Sequence, residues 1–244
     1  MDKTSLGDRM RRYEEVSERF LVPKIPVIGR VDGRAFHTLT NDMVKPWDER
    51  FVNTMLDVAH SLCGQIQGCN LAHVASDEIS LLLTDFEKPT TEGWFGYRLN
   101  KMVSIAAAIA TDKFAVNKVF HFGSSGLLDP ALFDARFFNL PADEVCNYFI
   151  WRQQDAARNS ISALAQSKFS HNELWGKSSK QMQEMLWSRY KINWDNTPTH
   201  LKRGACVTRK DNWWQSDLET PMFTADRSYV ERWLKQNQSS TSPK

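Results

Sequence analysis

The sequence has little of what marks a fibrous, disordered or membrane-bound chain. Its 244 residues hold only 11 Gly and 9 Pro, which excludes a collagen-like repeat and a low-complexity chain. No apolar run approaches the roughly 20 residues of a bilayer-spanning helix; the longest, residues 102–110, is interrupted by Ser104. The first residues alternate charges where a secretory signal needs an apolar stretch, so a cytoplasmic location with no membrane partner is expected. The four cysteines, Cys63, Cys69, Cys146 and Cys206, form no C-x-x-C pair, and neither a disulfide framework nor a structural zinc site is indicated. An excess of one charge is missing too. Lys and Arg total 31 against 29 Asp and Glu, a net charge of +2, which argues against coating nucleic acid by bulk electrostatics but leaves room for local basic patches. G-x-x-x-x-G-K-[ST] and G-x-G-x-x-G are both absent, which argues against a P-loop or a Rossmann site.

What is there suffices for a sizeable core: 41% hydrophobic and 11% aromatic residues, enough for one large domain or two small ones. Apolar periodicity predicts a helix over residues 6–20, with Met10, Tyr13, Val16 and Phe20 on one side. A β-branched run over 25–31 reads as a buried strand ending in the turn pair Asp32-Gly33. Asp48 can cap a helix that runs to about Ile66. Two short strands, 68–75 and 79–83, flank Ser76-Asp77-Glu78, followed by a helix over 92–114 and strands over 119–122 and 133–140. This order specifies an α+β fold, an antiparallel sheet with helices on one face. Beyond Leu140 the chain reads as mostly helical: helices over 142–168 and 179–190, a strand over 201–208, a last helix over 226–234 and a polar tail over 236–244, expected to be disordered. The expected parts are thus 1–140, 141–235 and the tail.

The chemistry concentrates in two carboxylate groups. Asp32 lies at the end of one apolar strand, and Asp77 with Glu78 lies at the turn between two others. Carboxylates from adjacent strands can share a pair of magnesium ions about 4 Å apart, the separation used in phosphoryl transfer. Either half alone is an ordinary turn; the pair is the informative feature. Arg98 and Lys101, three apart on the predicted helix, could grip a triphosphate or simply form a solvated face. Arg152 and Asp155 have the spacing of an internal helix pair. Residues 199–210 carry Lys202, Arg203, Arg209 and Lys210 with no acidic residue among them, a candidate phosphate-contacting patch.

Taken in order, Arg30-Val31-Asp32-Gly33-Arg34-Ala35-Phe36-His37, Lys45-Pro46, Ser76-Asp77-Glu78, Arg98 with Lys101, Phe133-Asp134-Ala135-Arg136 and Trp151-Arg152-Gln153-Gln154-Asp155 resemble the motifs of the tRNA(His) guanylyltransferase family and its guanylyltransferase-like relatives, which extend RNA in the 3′-to-5′ direction. The resemblance runs from about Ile25 to Gly204. It implies a polymerase-palm-like catalytic part in which Asp32, Gly33 and Asp77 hold two Mg²⁺ and Glu78 supports the catalytic pair. It implies nucleotide contacts, with GTP or ATP, at Arg30, His37, Lys45, Asp48, Ser76, Arg98 and Lys101. Arg136, Arg152, Asn159, Lys202 and Arg203 fall where the family meets tRNA, and a homotetramer is implied.

Two departures separate this chain from enzymes dedicated to tRNA(His). Residues 157–163 read Ala-Arg-Asn-Ser-Ile-Ser-Ala where those enzymes carry His-Ile-Asn-Asn-Leu-Tyr-Asn, and Trp47 replaces an Asn. The sequence therefore points to template-dependent repair of 5′-truncated tRNA. Untemplated guanylyl addition to tRNA(His), a palm-type nucleotide cyclase and a non-enzymatic RNA-binding module are the alternatives.

Overall fold

The first strand, β1 (Val27–Arg34), alternates between two cores: Val27 and Val31 enter one and Ile28 the other. In the computed structural model, which describes residues 5–123 and 131–234, β1 lies between β3 (Glu78–Leu83) and β4 (Leu132–Asn139). With β2 (Cys69–Ala75), β5 (Ala205–Lys210) and β6 (Trp213–Asp217), these strands make one antiparallel sheet in the order β4-β1-β3-β2-β5-β6.

One face is covered by α3 (Glu49–Gln65) and α4 (Leu99–Phe122), which bury Met55, Val58, Leu62, Met102, Ala106 and Phe114. The other face is covered by α5 (Ala142–Gln166), whose Val145, Cys146 and Phe149 pack on Ile28, Leu71 and Leu82. The far end of α5 forms a third cluster, Leu164 and Ala165 with Leu174 of α6 (His171–Leu174) and Leu186 of α7 (Ser179–Tyr190). Four short helices complete the fold: α1 (Ser5–Glu15), α2 (Phe36–Leu39), α8 (Thr199–Arg203) and α9 (Ser228–Glu231). The expected α+β class, with a helical C-terminal part, is what the structure shows. No helix among the described residues is long and apolar enough to cross a membrane.

Local expectations differ in seven places. The helix predicted over 6–20 ends at Glu15, and Met10, Tyr13, Val16 and Phe20 are all exposed. The chain beyond it is extended, with Leu21 N–H donating to the Tyr97 carbonyl and Leu99 N–H to that of Arg19. The helix predicted over 92–114 begins at Leu99, because Phe95 and Gly96 adopt φ of 53° and 60°. Residues 119–122, expected as a strand, are its last turn. Asp32 and Gly33 lie inside β1, and the chain turns at Ala35 (φ 56°) instead. The strand expected over 201–208 is α8 followed by β5, β6 had no counterpart in the sequence, and the helix expected over 226–234 is the single turn α9. The tail over 236–244 lies outside the described residues.

The joint between α8 and β5 is Gly204, at φ 86°. A Cβ there would come 2.5 Å from His73 Nε2 and 2.6 Å from the Val74 carbonyl, and that left-handed φ is strained for any L side chain. Gly204→Ala is expected to destabilise the protein by about 1–3 kcal/mol, measured as a lower midpoint in urea unfolding with an unchanged slope.

Candidate active site

Strand register sets the site. Asp32 stands opposite Glu78 on β3 and Asp134 on β4, so three carboxylates lie abreast on one face. Asp77 joins them from the β2–β3 turn, where Ser76 takes φ 56°. That turn is fastened to β1 by the Gly33 N–H, which donates to the Asp77 carbonyl at 3.1 Å. Gly33 has no room for a side chain, since a Cβ would overlap the Phe36 ring. Phe36 in turn packs at ring-centroid distances of 5.1 Å on Phe114 and 5.0 Å on Phe133.

Burial raises the Asp32 carboxyl above its ordinary value, and the negative charges of Glu78 and Asp134 add to it against the pull of Arg30 and Arg136. Asp77 is raised by burial and by Asp32, while hydrogen bonding and a contribution from His37 work the other way. Glu78 is held differently. Its two oxygens accept from Arg152 Nε and Nη2 at 2.7 and 2.8 Å, in a fork that is largely buried, with side-chain exposures of 14% and 12%, and Arg30 lies 4.0 Å away. Arg152 also donates to Asp155 at 2.9 Å and lies over the Trp151 ring. Asp48 is lowered to about 2, first by its hydrogen bond from Arg50, and it caps α3 through the Arg50 N–H.

These groups open onto a cavity of about 770 Å³, a size typical of small-molecule sites. Asp32, Ser76, Asp77 and Glu78 stand at one end. The loop carrying Lys45, Trp47 and Asp48 forms one side, and Arg152, Asn159 and Ser160 of α5 with His200 of α8 form the other. Eight of the residues singled out in the sequence (Asp32, Lys45, Asp48, Ser76, Asp77, Glu78, Arg152 and Asn159) therefore share one cavity. Lys45 Nζ donates to the Thr40 carbonyl at 2.6 Å. His37 acts on Asp77 from α2. Arg30 and Arg136 are cross-strand neighbours, two residues along from Asp32 and Asp134 on the same face. Lys202 and Arg203 do not line the cavity; their carbonyls accept from Ser160 Oγ at 3.0 Å and His73 Nε2 at 2.8 Å, and the Lys202 ammonium donates to the Asp195 carbonyl at 2.6 Å.

Arg98 and Lys101 are not brought to this cavity. Arg98 precedes α4 and lies over Phe20, and Lys101 lies over Phe95. Both sit at the N-terminal end of α4, whereas Phe114, which packs on Phe36, is about 20 Å further along the helix. Asp134 and Ser160 fall in runs noted in the sequence but were given no role there, and His200 was not singled out. Asp134 could have been found by alternation, since it shares a strand face with Arg136; Ser160 and His200 carry no local signal.

The family model described as tRNAHis guanylyltransferase matches residues 7–141, and that of the Thg1 C terminal domain matches residues 143–243. The chain belongs to the tRNA(His) guanylyltransferase family. Family membership makes it a nucleotidyltransferase. A probable tRNA(His) guanylyltransferase of Dictyostelium discoideum is 30% identical over 78% of this chain and 77% of its own length, and the Schizosaccharomyces pombe enzyme is 29% identical over 85% and 83%. Among solved structures, a bacterial tRNA(His) guanylyltransferase-like protein in complex with ATP has a TM-score of 0.90 at 43% identity, and one in complex with GTP 0.80 at 38%. Each covers 94% of this chain and 99% of its own. The Saccharomyces cerevisiae guanylyltransferase, at 22% identity and a TM-score of 0.72 over 89% of this chain and 98% of its own, shares the fold.

Two outcomes follow from the electrostatics. Raised carboxyls mean that the folded state binds protons more tightly than the unfolded chain, so this pair's contribution to stability falls as pH rises from 3.8 through the raised values. Asp32→Asn and Asp77→Asn are therefore expected to abolish nucleotidyl transfer yet to melt higher than the metal-free parent at pH 7, by roughly 2–4 °C per kcal/mol relieved; calorimetry beside an activity assay checks both. Arg152→Ala, which strands Glu78 in a buried setting, is expected to cost about 3 kcal/mol. A double-mutant cycle with Glu78→Gln in urea is expected to show coupling above about 1 kcal/mol.

Proposed function

We propose that the protein repairs 5′-truncated tRNA in the cytoplasm by template-dependent 3′-to-5′ addition of nucleotides. The observation that carries this reading is the cavity that joins the Asp32 and Asp77 carboxylates to a loop and two helices large enough to hold a nucleotide. The two bacterial guanylyltransferase-like relatives described above were solved with a nucleoside triphosphate, one with ATP and one with GTP. The likeness extends through the helical C-terminal part, which a cyclase acting on free nucleotides has no use for.

In the first step the 5′-monophosphate of the RNA attacks the α-phosphorus of a nucleoside triphosphate and pyrophosphate leaves. In the second, the 3′-OH of the incoming nucleotide attacks the activated 5′ phosphate and the nucleoside monophosphate leaves. The donor set fits a hard cation: two carboxylates with raised pKa and a backbone carbonyl, the small protein share that Mg²⁺ takes when water and phosphate oxygens fill its remaining positions. Asp32, Asp77 and the Gly33 carbonyl would hold two such ions, and the chemistry these would supply is Lewis-acid activation of a hydroxyl and neutralisation of phosphate charge. Ser76 and Lys45 contact the triphosphate. Glu78, engaged by Arg152, keeps α5 against the catalytic edge and acts as a positioning residue. Arg136, Asn159, Lys202 and Arg203 meet the tRNA, mostly through its phosphates. Arg98 and Lys101 serve a nucleotide held by a second copy of the chain, which the expected homotetramer supplies.

Incubation with 5′-truncated tRNA, Mg²⁺ and each labelled nucleoside triphosphate tests the reading. Extension is expected, and changing the opposing base is expected to switch the nucleotide added. Addition of G whatever base stands opposite overturns templating in favour of dedicated guanylyl addition; RNA binding without turnover overturns the enzymatic reading.

A further inference from the structure

A second groove, of about 320 Å³, lies on the outer side of the C-terminal helices and takes no part in the chemistry above. Lys180, Glu184 and Trp187 line it from one face of α7, and Ile192 and Trp194 line it from the turn beyond. Trp187 is 52% exposed, with the Lys191 ammonium 5.7 Å above its ring. Trp194 is fixed by donation from its Nε1 to Ser160 Oγ at 3.0 Å, and the Lys202 ammonium lies 5.5 Å above that ring.

Ser160, which holds Trp194 of the groove, also lines the catalytic cavity. The same cluster supports both, since Trp47 of the cavity and Ile192 and Trp194 of the groove pack on it. An open aromatic face flanked by ammonium groups suits a nucleobase stacked on the ring with its phosphates met by the lysines. Lys180 lines the groove with Glu184; with Lys191 and Lys202 over its two rings and Asp195 beside Trp194, three cations stand against two carboxylates, a small positive excess that suits an anion. A duplex with a recessed 5′ end leaves its opposing strand single-stranded. One base of that strand templates in the cavity, and those beyond it need a surface that accepts unpaired bases.

We propose that this groove binds an unpaired nucleotide of the 3′ strand beyond the templating position, its base stacked on Trp187 and its phosphates against Lys180 and Lys191. The assignment rests on the templated-addition reading. The test uses two hairpin RNAs with the same recessed 5′ end, one with a single unpaired 3′ nucleotide and one with a longer unpaired strand. The parent protein is expected to bind the longer-stranded RNA about tenfold more tightly. Trp187→Ala is expected to abolish that preference and leave the affinity for the short-stranded RNA and the nucleotide KM with it unchanged; Trp187→Phe is expected to retain most of it. Lys180→Ala and Lys191→Ala are each expected to lower the salt slope by about 1 for the longer-stranded RNA alone. Equal losses on both RNAs, or none, overturn the assignment. So does a changed oligomeric state of Trp187→Ala with strand preference intact, which gives the groove to a protein contact. Templated extension indifferent to strand length overturns the groove assignment alone; absence of templated extension overturns the reading beneath it as well.

Discussion

Asp134, Asp32 and Glu78 stand side by side on three neighbouring strands with Asp77 at the adjacent turn, and like charges so placed repel one another. The fold holds them by dividing them. Glu78 is given to Arg152, whose planar fork matches a carboxylate and whose remaining donor takes Asp155. Asp134 has Arg136 on its own strand at 3.4 Å. Asp32 and Asp77 are the pair whose carboxyls stay raised, chiefly by burial and then by neighbouring negative charge. One helix therefore does two things, since the contact that silences Glu78 also fixes α5 across the sheet and closes the far wall of the cavity.

Features coded by neighbouring residues were legible in the sequence. The β2–β3 hairpin around Ser76 and Asp77, the Asp48 cap and both ends of α7 were read from turn chemistry, capping and periodicity. What escaped depends on contacts between distant residues. Nothing local says that β4 pairs with β1, so Asp134 could not be placed beside Asp32. The Arg152–Asp155 helix pair was readable from spacing, but the Glu78 partner, 74 positions away, was not. A spacing of three puts Arg98 and Lys101 together without saying at which end of the sheet, and left-handed residues at Phe95 and Gly96 moved the start of the helix.

The segment that departs most from the dedicated enzymes lies where it matters. Asn159, Ser160 and Ala163 line the cavity, and the Ser160 hydroxyl is committed to the Lys202 carbonyl and the Trp194 indole. It seams α5 to α8. Trp47 packs into the same cluster from the loop side, so the C-terminal helices and the nucleotide loop are braced together by apolar contact.

The sheet order also has a consequence in time. β2 is an interior strand because β5 pairs with it, from Leu71 opposite Thr208 to Val74 opposite Ala205, yet β5 is made after all of α5, α6, α7 and α8. Until then β2 is the bare margin of a four-stranded sheet, apolar and able to pair with another emerging chain. The pace of translation through the C-terminal helices therefore sets how long each newborn molecule is exposed to that mispairing.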